Sequence, residues 1–94
     1  MFLVDLEFIR PLDEVDQHVA AHRDYLKDFY ENGSLFMGGR KIPRSGGIIL
    51  SRHTTRQEVE SVFNADPLVL ARVAKYSVTE FQPVMMTEAL KELI

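Results

Sequence analysis

The hydrophobic pattern of this chain changes period in a fixed order, and that order restricts the fold more than any other feature. It opens on FLVDLEFI, where Phe2, Val4, Leu6 and Phe8 alternate with Leu3, Asp5, Glu7 and Ile9. A period of two puts the first set on one face of a strand and the second on the other. Pro11 stops the strand, and the period then lengthens. Val15, His18, Val19, His22, Leu26, Phe29 and Tyr30 recur at spacings of three and four, the buried stripe of one long helix. Asp13 is its expected N-cap and Gly33 its C-terminal stop. SLFMGGR and GGIILSR read as two short strands joined by KIPRS. Thr54 or Thr55 opens a second helix, since both Thr54…Gln57 and Thr55…Glu58 fit a capping box. Its apolar face is Val59, Val62 and Phe63, with Asp66 next on the same stripe. AKYSVTEFQPV is a last strand ending near Pro83, and MTEALKELI is a short C-terminal helix or tail.

Strand, helix, strand, strand, helix, strand is the order of a split βαβ unit. It predicts an α+β, ferredoxin-like sandwich: a four-stranded antiparallel sheet with two helices on one face. The other face of the first strand carries Leu3 and Ile9 around Asp5 and Glu7. Such a face suits packing on a second subunit better than open solvent, so a homodimer is expected, with higher oligomers left open. The 94 residues leave room for one core, and a single domain over residues 1–94 is the expectation. At 46% hydrophobic the core is well supplied, and a dimer would bury more of a small domain's surface.

Charge and composition exclude several partners. Eleven basic residues against 14 acidic give a net of −3, with no basic stripe, which argues against nucleic acid. No apolar run approaches the roughly 20 residues that cross a bilayer. MFLVDLEFIR lacks the basic start and long apolar centre of a signal peptide, so a cytoplasmic protein is the expectation. With no Cys, thiolate metal sites and disulfides are ruled out.

The candidate chemistry begins with the histidines. His18 and His22 share the inward stripe, and an apolar face rarely carries histidine without a hydrogen-bond partner. Asp66, followed by Pro67, looks like an N-cap before an N1 proline, opening a short helical segment PLVLARV. His22 lies nine residues past Asp13 and Asp66 eleven past Thr55, which puts them ~13 and ~16 Å along their helices. Right-handed crossovers set those helices side by side on one face, with axes ~8–10 Å apart. Two inward-leaning side chains can close that gap. An Asp that fixes a histidine's tautomer and favours its protonated form is a common design for a general base or acid. Capping and pairing are compatible, because a carboxylate has two oxygens.

His18 and His22 also form H-x-x-x-H. Without the Glu of H-E-x-x-H, and with Asp66 the one evident third ligand, no metal is assigned. His53, in SRHTT, reads as a solvated loop residue. GGRKIPRSGG joins two strands rather than leading into a helix, so it is not a phosphate loop. It is either a flexible hairpin with solvating charge or a loop that folds over the site and attracts an anionic, carboxylate-like ligand. On the second reading Arg40 and Arg44 bind substrate, together with His18. Ser34, Ser45, Ser51 and Ser77 have no neighbouring base in the sequence and receive no nucleophilic role.

AHRDYLKDFYENGSLFMGG, SGGIILSR, ADP and YSVTEF, in this order and spacing, together resemble the YCII-related family over nearly the whole chain. The resemblance implies a dimeric α/β barrel and a His–Asp active site mapping onto His22 and Asp66. A related branch resembles muconolactone isomerase and chloromuconolactone dehalogenase, which act on small anionic lactones. This chain departs from the pattern in three places. Leu68 stands where an aromatic often follows Asp-Pro, Ala71-Arg72 where small residues are usual, and GGRKIP where Gly-Pro is common. The expectation is a small enzyme needing no cofactor, an isomerase or lyase moving a proton beside a carbonyl on a small anionic metabolite. The alternative is a non-catalytic, dimeric ligand-binding or interaction module.

Overall fold

Each side of β1 (Phe2–Phe8) carries a hydrogen-bonded neighbour, and this makes it the centre of the sheet. It pairs antiparallel with β3 (Gly46–Ser51) and with β4 (Ala74–Glu80), while β2 (Leu35–Arg40) extends the sheet beyond β3. The order β2-β3-β1-β4 is wholly antiparallel and is that of the ferredoxin-like sandwich. These positions come from a computed structural model that describes residues 1–93, so Ile94, the end of the expected tail, lies outside the described residues.

Register decides which side chains meet. Val4 sits opposite Ile49 and Val78, and Leu6 opposite Gly47 and Tyr76. Opposed residues share a face. Phe2, Val4, Leu6 and Ile49 therefore form a floor under the helices and are buried against Val15, Leu26, Val59, Phe63 and Leu68. The reverse face carries Leu3, Ile48, Leu50 and Met37, with Lys41 bonded to Asp5 at 2.6 Å and Lys75 beside Glu7 at 3.6 Å. Gly46 is set by packing: a Cβ there would overlap the Leu6 carbonyl. β2, at the edge, is bulged at Phe36, where its register against β3 shifts between Leu35 and Met37.

The first helical stretch corrects the sequence reading. It is two helices, α1 (Leu12–Asp16) and α2 (Val19–Glu31), and the residue in the N-cap position is Pro11, not Asp13. The Gln17 and His18 amides bond three residues back, to Glu14 and Val15, tightening the turn, and His18 takes φ −119° before α2 restarts. That break shifts the phase of the stripe. α2 ends as expected, with Gly33 in the left-handed region at φ 81°.

α3 (Arg56–Asn64) starts at Thr55, whose side chain accepts the Glu58 amide at 3.2 Å. It stops because Asp66 precedes proline and is pushed to extended angles, φ −63° and ψ 130°. α4 (Pro67–Leu70) follows and closes in a Schellman turn. The Arg72 amide bonds to the Val69 carbonyl and the Val73 amide to that of Leu68, while Leu68 and Val73 are both buried. Arg72 holds the left-handed position, φ 60°, that glycine usually fills. A 3-10 helix, Glu88–Leu93, ends the described chain.

Candidate active site

α2 presents one stripe to the sheet: Val19, His22, Leu26 and Tyr30 at spacings of three and four, with Arg23 and Lys27 on its flank. Between this stripe and β2, β3 and the loop joining them lies a cavity of about 520 Å3. Its floor is Leu6, Phe8 and Ile49, and Leu68 of α4 closes one side. Four cations reach it, Arg23 and Lys27 from α2 and Arg40 and Arg44 from the hairpin, and no described carboxylate lines it. A chain of net charge −3 has thus gathered basic groups at this hollow.

His22 meets Asp66 at the cavity wall. Its Nδ1 lies 2.9 Å from Oδ1 and 2.8 Å from Oδ2. Asp66 is fully buried and the His22 side chain keeps 16% exposure. Oδ1 also accepts the Leu68 amide at 2.8 Å, so one carboxylate caps α4 and holds the imidazole. A buried carboxylate needs donors on its lone pairs, and this one has an amide and a ring nitrogen. With Nδ1 donating to the carboxylate, Nε2 is the ring nitrogen without a partner among the described residues, and His22 lines the cavity. Tyr25, one turn on, braces the arrangement, its hydroxyl donating to the Val62 carbonyl in the last turns of α3 at 2.6 Å. Burial, and then the Asp66 charge, push the Tyr25 phenol up from its ordinary value, so it remains a donor.

The YCII-related domain matches residues 1–82. The chain belongs to the YCII-related family. That match ends before the 3-10 helix, which lies beyond the family's common part. A solved structure of 5-chloro-2-hydroxyhydroquinone dehydrochlorinase from Burkholderia phenoliruptrix, in complex with 2,5-dihydroxybenzoquinone, is similar at a TM-score of 0.73. It is 20% identical, and the alignment covers 87% of this chain and 94% of that one. At that identity the likeness establishes the shared fold. No functionally curated protein matches the sequence.

The remaining sequence candidates separate in this YCII-related structure. Arg40 lines the cavity and has no ion pair among the described residues. Arg44 lines it too but is bonded to Asp16, with its guanidinium 5.9 Å from the Phe8 ring centre. That bond holds the Asp16 carboxyl below the usual carboxylate range. His18 is not among the lining residues, because the break before α2 carries it off the stripe that His22 shares. No group of three or more described His, Asp or Glu side chains comes together as a metal cage.

His53 is not the solvated loop residue expected. Its Nδ1 lies 2.5 Å from the hydroxyl of fully buried Ser51, and its ring is 6.4 Å from that of Phe29. The Ser51 hydroxyl also accepts the His53 amide at 3.0 Å, so it holds residue 53 through both backbone and ring. This pair lies away from the cavity, and its serine cannot reach a substrate. Sequence reasoning passed over Arg23, Lys27 and Tyr30, at one, five and eight residues from His22. The helical period puts Tyr30 on the His22 stripe and Arg23 and Lys27 on its flank, but no signal in the sequence shows that a cavity lies there.

Proposed function

We propose that this protein is an acid–base enzyme, a lyase or isomerase of small anionic ring compounds, with His22 as the proton-transferring group. The observation that carries this reading is the buried Asp66 carboxylate on Nδ1 of a histidine that lines a cation-lined cavity, an arrangement that leaves Nε2 for proton transfer. Nε2 takes a proton from a carbon beside a carbonyl, and the electron pair is held as an enolate. Arg40 and Arg23 line the same cavity and can offset that developing charge. Isomerisation returns the proton to another carbon. Elimination instead expels a leaving group such as chloride, and the imidazolium then gives its proton to solvent. Neither course needs a redox partner, so no cofactor is required. The dehydrochlorinase activity of the fold neighbour, and the ring compound bound to it, support the elimination course.

Self-association belongs to the same reading. The reverse sheet face, with Leu3, Met37, Ile48 and Leu50 among paired charges, suits a second copy, and the homodimer would turn two open sheets into a closed barrel.

A binding module is the competing reading, and one observation favours it: Asp66 already has a structural task as the α4 cap. The discriminating experiment is a turnover screen of small lactones and chlorinated hydroxyquinols with the wild type and His22→Gln. The enzyme reading expects turnover that His22→Gln abolishes while its thermal unfolding stays cooperative. Turnover that survives in His22→Gln, or none by the wild type across the screen, would leave the binding module standing.

A further inference from the structure

Tyr30 stands eight residues beyond His22 on the same face of α2, and packing alone does not account for its hydroxyl. That hydroxyl makes no hydrogen bond to another described residue. Tyr30 keeps 37% exposure and lines the cavity, so the hydroxyl is free to meet a ligand there. The ring runs over β2 at Gly38, where a Cβ would overlap the hydroxyl and crowd Ile49. A Cβ at neighbouring Gly39 would meet nothing. Gly38 is therefore the place β2 makes for the Tyr30 phenol. Burial pushes that phenol up from its ordinary value, which keeps it a hydrogen-bond donor at neutral pH. Lys27, three residues before it, and Arg40, two beyond Gly38, line the same end.

We propose that Tyr30 is a second ligand-binding residue, donating to an anionic oxygen, carboxylate or enolate, at the far end of a one-ring substrate whose near end meets His22. Lys27 and Arg40 neutralise that oxygen. Length supports the class. Eight residues of helix separate the two side chains by ~12 Å, and a hydrogen bond of ~2.8 Å at each end leaves roughly 6 Å for the ligand. That is about the span between oxygens on opposite sides of a six-membered ring. The placement of the near end rests on the acid–base reading of His22, whereas the Tyr30 contact does not.

The test uses 4-hydroxybenzoate, which carries oxygens at both ends, and phenol, which lacks the second, in amide-detected NMR titrations. Tyr30 should add about tenfold, the worth of one charge-assisted hydrogen bond, to the preference for 4-hydroxybenzoate over phenol that Lys27 and Arg40 also support. Tyr30→Phe should remove that tenfold share and leave phenol unchanged. Gly38→Ala, which displaces the hydroxyl, should behave like Tyr30→Phe, while Gly39→Ala should behave like wild type, so the inference remains testable if Tyr30→Phe does not fold. Equal loss for both probes, or no preference for 4-hydroxybenzoate in the wild type, would overturn it. His22→Gln should retain the preference. If it retains turnover as well, the acid–base reading fails and the Tyr30 contact stands.

Discussion

Asp66 does two things with one carboxylate, and Asp66→Asn pulls them apart. The Leu68 amide fixes how an asparagine sits: its oxygen must take the Oδ1 place to accept that bond, 2.8 Å away in the native protein. The amide NH2 then falls at the Oδ2 place, 2.8 Å from His22 Nδ1. Asn caps about as well as Asp, so the α4 cap survives. The loss is the difference between a charge-assisted and a neutral hydrogen bond, about 1 kcal/mol. Asp66→Ala loses the cap, about 1 kcal/mol, and leaves a part-buried imidazole without its partner, about 2 kcal/mol more. Urea unfolding should therefore rank wild type, Asn and Ala, with the larger step from Asn to Ala. Chemistry should rank differently. The amide donates to Nδ1, placing the ring proton on Nε2 and leaving no base in the cavity. By analogy with the Asp of a serine-protease triad, turnover should fall ~10⁴-fold. Nitrogen-15 shifts of the His22 ring report the tautomer directly. If they match the wild type in Asp66→Asn, the carboxylate does not set the tautomer and the reasoning fails.

Arg72→Gly should stabilise the protein by about 0.5 kcal/mol, since relief of the left-handed strain exceeds the entropy cost of glycine. In a domain of this size that is a rise in Tm of roughly 2–4 °C; an unchanged or lower Tm in calorimetry would contradict it. Burial pushes the His53 imidazole below its ordinary value, with Glu58 offsetting only part. Folded His53 thus holds its proton less tightly than the unfolded chain does. Its contribution is intact above the unfolded value, near 6.5, and is lost as pH falls through it toward the lower folded value. Urea midpoints at pH 7.5 and 5.5 should therefore drop more for wild type than for His53→Gln, and equal drops would refute this. Leu50→Glu on the reverse sheet face should leave the helical signal intact and shift sedimentation to monomer; a wild type already monomeric at micromolar concentration would remove the dimer from the proposal.

What the sequence could reveal depended on the range of the cause. The alternation of Phe2 to Phe8, the cap at Thr54 or Thr55 and the Asp66-Pro67 break are each set by residues within four positions, and all three are readable, the cap to within one residue of its place at Thr55. The helix break at Gln17 and His18 is not. No proline or glycine marks it, and the stripe looks continuous across it. Tyr30 was readable as a stripe residue but not as a cavity residue, because its place depends on Gly38 across the sheet. Likewise His53 looked like a loop residue since its partner, Ser51, is a neighbour whose burial comes from the sheet.

The bulge at Phe36 bears on how copies of this protein meet at high concentration. An edge strand with an unbroken row of amides and carbonyls is a template for endless growth. β2 offers no such row, because its hydrogen-bonding rhythm slips between Leu35 and Met37 and the bulge adds local twist. A strand laid along it would lose register within a few residues. Filaments built edge to edge are disfavoured on this side, which leaves the reverse sheet face of the proposed dimer as the better route to association.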